Sequence, residues 1–404
     1  METSDFIIAG GGIIGIRISL ALREKYPHAS IILMEKEKTP GEHSSGRNSG
    51  VLHAGFYYSE NSLKAKFTRQ GNEELTQYAL SRKLKINRCG KLVVAQNPQE
   101  EETLRLLHER GKNNGVDVSL ITERDARQLE PRVKTHGSAL YSPSTSSIDP
   151  REIVLTLAHD AEQKGIRIRT GEKYLSRDGK SGGDELSIKT SGGKYSTGYF
   201  INAAGLYADA IAHDFGMGKD FIILPFKGLY LYSAPVPHPL KMHIYPVPDL
   251  RNPFLGVHHT VDSIGRNEIG PTAIPAFWKE NYRGMGQFNL REMISIIWTE
   301  GRLFLGFGKK GFDFRSLALR EVKKYSRSHL VKVAGSLAEG VHKKDYTLWG
   351  HPGIRAQLYN KKENLLEMDF KMEYDSRSMH ILNAVSPAFT ASGPFARYVV
   401  EKIG

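Results

Sequence analysis

The sequence predicts an α/β fold in two discontinuous domains, one built on a parallel βαβ unit and the other an α+β domain on a mixed, largely antiparallel sheet. Three observations carry this. Phe6, Ile7, Ile8 and Ala9 form a short apolar run, and Gly10, Gly12 and Gly15 follow at G-x-G-x-x-G spacing and open a helical stretch over residues 16–26. A second apolar run, residues 31–34, ends at the acid Glu35. Late in the chain, an apolar run at 380–384 and a small-residue turn lead into a last helix, as if the C-terminus revisits the first domain. Strand, glycine turn, helix and acid in that order are a dinucleotide-binding unit, Rossmann-like in outline.

Gly10 permits the tight turn, Gly12 lets backbone approach a pyrophosphate, and Gly15 lets the helix pack closely on the strand. The amides at the helix start, with Ile13 and Ile14, receive the phosphates. Glu35, followed by Lys36, accepts hydrogen bonds from ribose hydroxyls and argues against a 2′-phosphate. These residues leave NAD and FAD both open.

The next elements follow from pattern. Residues 39–58 are polar and glycine-rich, suited to lying along a flat ligand, and include Ser45, Arg47, Asn48, Ser49, Gly50 and Val51. Helices are expected over 63–81, 98–114 and 150–164, with strands near 90–95 and 116–121 and a loop at 141–149. Strands at 167–170, 186–190 and 194–196 alternate well, and 199–203 reads as a buried strand leading to Ala204, Gly205 and Asp209, a second strand-to-helix junction. Short strands punctuated by Pro and Gly fill 221–270, and helices are expected at 289–300 and 317–337.

Composition bounds the rest. The chain has 404 residues, 40% of them hydrophobic, enough for a large core and two domains. No run approaches a membrane span, and the first strand leaves no room for a signal peptide, so a cytoplasmic protein is expected, soluble or peripheral at the inner face of a membrane. Cys89 is the lone cysteine, which excludes an intrachain disulfide and a Cys-rich metal site. The net charge of +12 suits an anionic membrane surface or an acidic substrate, and nothing resembles a nucleic-acid module. Lys309, Lys310, Arg315, Arg320, Lys323, Lys324, Arg327 and Lys332 concentrate the excess within residues 302–332, either as a solvated helix face or as a membrane contact.

Eight motifs in order now resemble the L-2-hydroxyglutarate dehydrogenase/oxidase family of FAD-dependent oxidoreductases, within the D-amino-acid oxidase superfamily. They are RNSGVLHAGFYY (47–58), SLKAK (62–66), CGKLVVA (89–95), PFKG (225–228), IYPVPD (244–249), PFLGVH (253–258), GIRAQ (353–357) and Ser386 to Ala388. The resemblance implies FAD, held by a domain of residues 1–85, 148–222 and 350–404, and a substrate domain of 86–147 and 223–349. It implies oxidation of L-2-hydroxyglutarate to 2-oxoglutarate, with electrons passed to a quinone or oxygen. Arg47, Lys227, His259 and Thr272 depart from the family pattern, which leaves two other readings: a related flavin oxidase of amino acids or amines, and a flavoprotein without turnover.

Oxidising a 2-hydroxy acid requires a base for the hydroxyl proton and a cation for the carboxylate. His53 and His258 are the candidate bases, each with a structural hydrogen-bonded histidine as its alternative. Arg355, in a Gly-x-Arg motif similar to the carboxylate-binding arginine of related oxidases, is the candidate clamp. Lys227 and Tyr245 are second contacts, although Tyr245 among strand residues also reads as core. Ser386, Pro387, Ala388 and Thr390 are assigned to FAD, with Ser386 and Pro387 beginning the turn into the last helix, whose N-terminal amides are expected to support negative charge at the flavin. Asp209 has a helix cap as its alternative.

Overall fold

The computed structural model describes residues 1–178, 185–250, 254–306 and 313–403. Lys309, Lys310 and Pro253 therefore lie outside the described residues. Two compact units emerge, Met1–Arg47 with Pro150–Pro225 and Arg355–Gly404, and Asn48–Asp149 with Phe226–Ile354. Residues 48–85, expected with the dinucleotide domain, cluster with the second unit instead: their helix and short strands find their partners there.

The first unit is built on a sheet ordered Tyr174–Asp178, Leu186–Thr190, Lys194–Asn202, Glu2–Ala9, Ile31–Glu35, Arg167–Thr170. Glu2–Ala9 runs parallel to both neighbours, with Phe6 opposite Tyr199 and Ile31. Strands 194–196 and 199–203, expected as two, are one strand, Lys194–Asn202. Its pairing with Glu2–Ala9 continues from Thr197 to Tyr199 across Gly198, so ladder hydrogen bonds override the local break. Ser378–Asn383 joins the same strand in parallel, which brings the C-terminus back to the first domain. Helix Ile13–Lys25 packs on Ser392–Glu401 and on Pro150–Gln163.

The second unit centres on eight strands ordered Tyr346–Trp349, Leu231–Ser233, Asn267–Gly270, His258–Val261, His243–Pro246, Lys91–Val94, Ser138–Ser142, Ser119–Thr122. All pairs are antiparallel except Lys91–Val94 with His243–Pro246. Alternation sends Val93 and Tyr245 to a core with Leu104 and Leu107 of helix Pro98–Asn113, and Leu92, Val94 and Ile244 to a core with Ala126 and Leu337. The expected loop at 141–149 contains strand Ser146–Ile148, paired with Val51–Leu52 and Ile86–Asn87. The long helix expected at 317–337 is broken into Phe314–Val322 and Arg327–Ala334. Ser326 is the reason: its hydroxyl accepts from His329 N and starts a new helix.

Candidate dinucleotide cradle and histidine cluster

In the first unit the turn after Glu2–Ala9 is closed by backbone. Gly10 has φ +114° and donates to Met34 O at 2.8 Å, and a Cβ there would lie 2.4 Å from Ala203 O. A Cβ at Gly15 would meet Gly10 O at 2.0 Å, and one at Gly12 would meet Ser45 Oγ at 2.9 Å. Ser45 Oγ in turn accepts from Ile13 N at 3.0 Å, capping a helix whose own Gly12 has no side chain for the task. Glu35 is fixed by two amides, Gly11 N on Oε2 and Glu37 N on Oε1, both at 2.8 Å. The acid is thus anchored at the end of its strand, beside the glycine turn.

Other expected cofactor residues of this unit have clear places. Ile13 and Ile14 bury their side chains, so their contribution to a ligand is through backbone. Lys36 pairs with Glu37, and Arg47 Nε donates to Glu42 O. Ala204 N donates to Asn202 Oδ1 at 3.2 Å, and Gly205 has φ +54° with open space where a Cβ would point. Asp209 is buried and accepts from Ala210 N at 2.8 Å and Ile223 N at 2.9 Å, tying helix Ala208–Asp214 to strand Phe221–Gly228. Ser386, Pro387, Ala388 and Thr390 lie in the expected turn before the last helix, with Ala388 N on Val385 O and Ala391 N on Pro387 O, both at 3.0 Å. The helix opens at Ser392, whose buried hydroxyl has no hydrogen-bond partner among the described residues. Arg355 lies half-buried on strand Gly353–Asn360.

The remaining expected residues fall in the second unit. Asn48 Oδ1 accepts from Gly50 N at 2.9 Å, making the turn that carries Ser49 into strand Val51–Leu52. His53 follows directly, part-buried, its carbonyl accepting from Asn72 Nδ2 at 3.2 Å. His258 stacks on Tyr245 with ring centroids 3.7 Å apart and planes 19° off parallel. Its Nδ1 lies 2.8 Å from Gly256 O, and a carbonyl only accepts, so Nδ1 carries the proton and Nε2 keeps its lone pair. Burial pushes its pKa down to about 3, with the nearby Lys91 charge adding to this, so the ring is neutral.

The departures from the family pattern sort by their contacts. His259 points to the opposite face from His258, toward Ala334 O at 3.0 Å and Asn267 Oδ1 at 3.2 Å. Thr272 Oγ1 donates to Lys227 O at 2.9 Å and accepts from Leu229 N at 3.0 Å. Both are structural ties. Lys227 is buried, its Nζ 3.3 Å from Asn281 Oδ1, and burial lowers its pKa.

Sequence reasoning missed Lys91. It is fully buried, with Nζ 4.0 Å from the centroid of Tyr245 and 5.4 Å from that of Tyr57, and no hydrogen-bond partner among the described residues. A lysine inside CGKLVVA at a position alternating with Val93 was the available signal, since Val93 faces the core. His243, its register partner, was missed too: Nδ1 accepts from Val261 N at 3.1 Å, which leaves the proton on Nε2, toward Cys89 Sγ at 3.3 Å.

A glycine turn that admits no Cβ, an anchored acid and a buried unpartnered hydroxyl at a helix start fit a dinucleotide cofactor. The sequence profile described as FAD dependent oxidoreductase, DAO, matches residues 5–401. The chain belongs to this family. FAD is accordingly its cofactor. The chain is 33% identical to a protein named L-2-hydroxyglutarate dehydrogenase from Escherichia coli strain K12, over 99% of this chain and 93% of that one. It is 35% identical to the mitochondrial protein of that name from Nematostella vectensis, over 99% and 90%, and 33% identical to that of Homo sapiens, over 99% and 88%. Among solved structures it is similar to L-alpha-glycerophosphate oxidase from Mycoplasma pneumoniae with FAD bound, with a TM-score of 0.78 and 23% identity over 99% and 94% of the two chains. Glycine oxidase from Geobacillus kaustophilus gives 0.72 and 18%, over 100% and 95%. The fold is therefore that of FAD-dependent oxidases. Among the described residues no helix is long and apolar enough to cross a membrane.

Proposed function

We propose that this family member oxidises L-2-hydroxyglutarate to 2-oxoglutarate and passes the electrons to a quinone or to oxygen. The observation that carries the reading is identity of 33–35% over nearly the whole chain with bacterial and animal proteins named for that reaction. Bound FAD supplies the two-electron acceptor. Gly10, Gly12, Gly15, Glu35 and Ser45 hold its adenosine and pyrophosphate end; Ala204, Gly205, Asn48 to Val51 and the turn from Ser386 to Thr390 are proposed along the rest.

The protein's own groups handle the substrate. Arg355 grips one carboxylate through paired hydrogen bonds, which a guanidinium geometry allows. Lys227 offers a second cation for the distal carboxylate. His53 or His258 takes the hydroxyl proton; His258 enters neutral, with Nε2 as the accepting atom. A bound dicarboxylate raises the affinity of that nitrogen for a proton, because negative charge favours the imidazolium. Peripheral membrane contact through residues 302–332 belongs to the same reading, since a quinone acceptor is dissolved in lipid.

The test is the anaerobic absorbance spectrum of the purified yellow protein before and after L-2-hydroxyglutarate, its D enantiomer, L-lactate and glycine. Selective bleaching by the L dicarboxylate is expected. A flavin that stays oxidised with all four removes the substrate assignment and leaves the family intact.

A further inference from the structure

Burying a lysine whose ammonium finds no hydrogen-bond partner costs stability, and a methionine would fill the same space without that cost. Lys91 is such a residue, so packing does not account for it. Its surroundings give it another task. Strands Lys91–Val94 and His258–Val261 lie on either side of His243–Pro246 in the sheet. Tyr245 of the middle strand stacks its ring on the imidazole of His258, with centroids 3.7 Å apart, and Lys91 Nζ is 4.0 Å from the centroid of the same ring. A cation that close lies over a face of the ring, and His258 fills the face toward its own strand. Lys91 therefore takes the other face, and ammonium, phenol and imidazole form one buried stack. Phe56 and Tyr57 close the ammonium in, with ring centroids 5.8 and 5.4 Å from Nζ.

The groups around this stack differ in when they change charge. Burial pushes the Cys89 thiol up to about 11 and holds His243, the register partner of Lys91, well below the usual histidine range. Ser142 is opposite Lys91 on the other neighbouring strand, and Leu104 and Leu107 of helix Pro98–Asn113 belong to the core that holds Tyr57 and Tyr245. Burial raises the pKa of both tyrosines, which keep their protons. Beyond His258, burial takes His259 down to about 4, and Lys324 is paired with Glu321. Tyr230 and Glu268 bear on Tyr245, and burial raises Glu268 to about 8. Lys91 itself, at about 7, loses its charge first as pH rises through neutrality.

We propose that Lys91 is a positioning residue for the base: through the ring of Tyr245 it holds the imidazole of His258 in place, and its charge governs how readily Nε2 takes the hydroxyl proton. A positive charge across one ring disfavours the imidazolium, so the charged lysine restrains the base and the neutral lysine frees it. The inference rests on His258 as the proton acceptor in the proposed function and gives that residue a pH response.

Two measurements on the FAD-loaded protein test it, with flavin absorbance reporting an intact fold for each variant. The first needs no turnover: nitrogen-15 ring signals of His258, assigned with His258→Gln, are followed from pH 6 to pH 8. They are expected to move with a midpoint near 7 in wild type and to stay flat in Lys91→Met. The second is the rate of anaerobic flavin bleaching by L-2-hydroxyglutarate, expected to rise about fivefold over the same range in wild type. Lys91→Met should be fast at both ends, and Lys91→Arg, whose charge does not titrate, slow at both. Glu268→Gln should keep the wild-type response in both measurements. Flat His258 signals in wild type overturn the inference, as does a midpoint that persists in Lys91→Met or vanishes in Glu268→Gln. Signals that move while the bleaching rate ignores Lys91 also overturn it, because His258 is then not the base. Signals that move with no bleaching at all strike the substrate assignment and leave the coupling of Lys91 to His258 standing.

Discussion

Lys91 Nζ has no hydrogen-bond partner among the described residues and lies against the rings of Phe56, Tyr57 and Tyr245, and burial lowers its pKa to about 7 from 10.5. Below pH 7 folded and unfolded chains both carry the proton, and the desolvation cost is felt in full. Between pH 7 and 10.5 the unfolded chain holds a proton that the folded one has released, so stability rises with pH. Lys91→Met should therefore raise stability by about 1–4 kcal/mol at pH 6, with the gain shrinking toward pH 10. Denaturant melts at the two pH values check this, and a gain that grows with pH would contradict it. Arg355→Lys is the second expectation at this scale. Loss of the paired hydrogen bonds should cut kcat/KM for L-2-hydroxyglutarate by about 10–100-fold, mainly through KM, with flavin content unchanged. An unchanged KM would take Arg355 out of the substrate site.

Helix Leu290–Phe304 is unusual on its inner side. Glu300 sits there buried, with no hydrogen-bond partner for Oε1 among the described residues, and burial raises its pKa to about 8 from 4.5. From pH 4.5 to 8 the unfolded carboxyl is ionised while the folded one keeps its proton, so stability falls as pH rises through that window. Glu300→Gln is neutral throughout and should flatten that slope. Thermal melts of the two proteins at pH 5 and pH 8 should nearly coincide at the lower pH and separate at the higher, with the variant more stable. The break between Phe314–Val322 and Arg327–Ala334 belongs to this scale too, where one serine hydroxyl ends a periodicity that otherwise reads as a single helix.

Over the whole chain, the dinucleotide unit is assembled from three sequence pieces that meet on one sheet. A ligand that binds only the assembled state stabilises it by mass action, by about 4 kcal/mol at a thousandfold excess over its Kd. Adding FAD to stripped protein should raise its Tm in a concentration-dependent way. Gly12→Val, whose side chain would collide with Ser45, should purify colourless and show no such rise. A yellow Gly12→Val protein would place the pyrophosphate elsewhere.

The glycine turn, the acid at Glu35, the framing helices and the return of the C-terminus were legible because each is set by local period, spacing and backbone conformation. So was family membership, through motifs in order along nearly the whole chain. What the sequence could not carry was anything decided by a neighbour far away in the chain. Gly198 reads as a break until Glu2–Ala9 pairs across it. The tie from Asp209 to Ile223 N and the turn of His259 to Ala334 O likewise depend on strands that meet only in the fold. Lys91 reads as an ordinary strand lysine until the sheet encloses it among Phe56, Tyr57 and Tyr245. Local chemistry determined which elements form and that they suit a dinucleotide; burial and partner choice, which only the tertiary structure sets, decided what each polar side chain does.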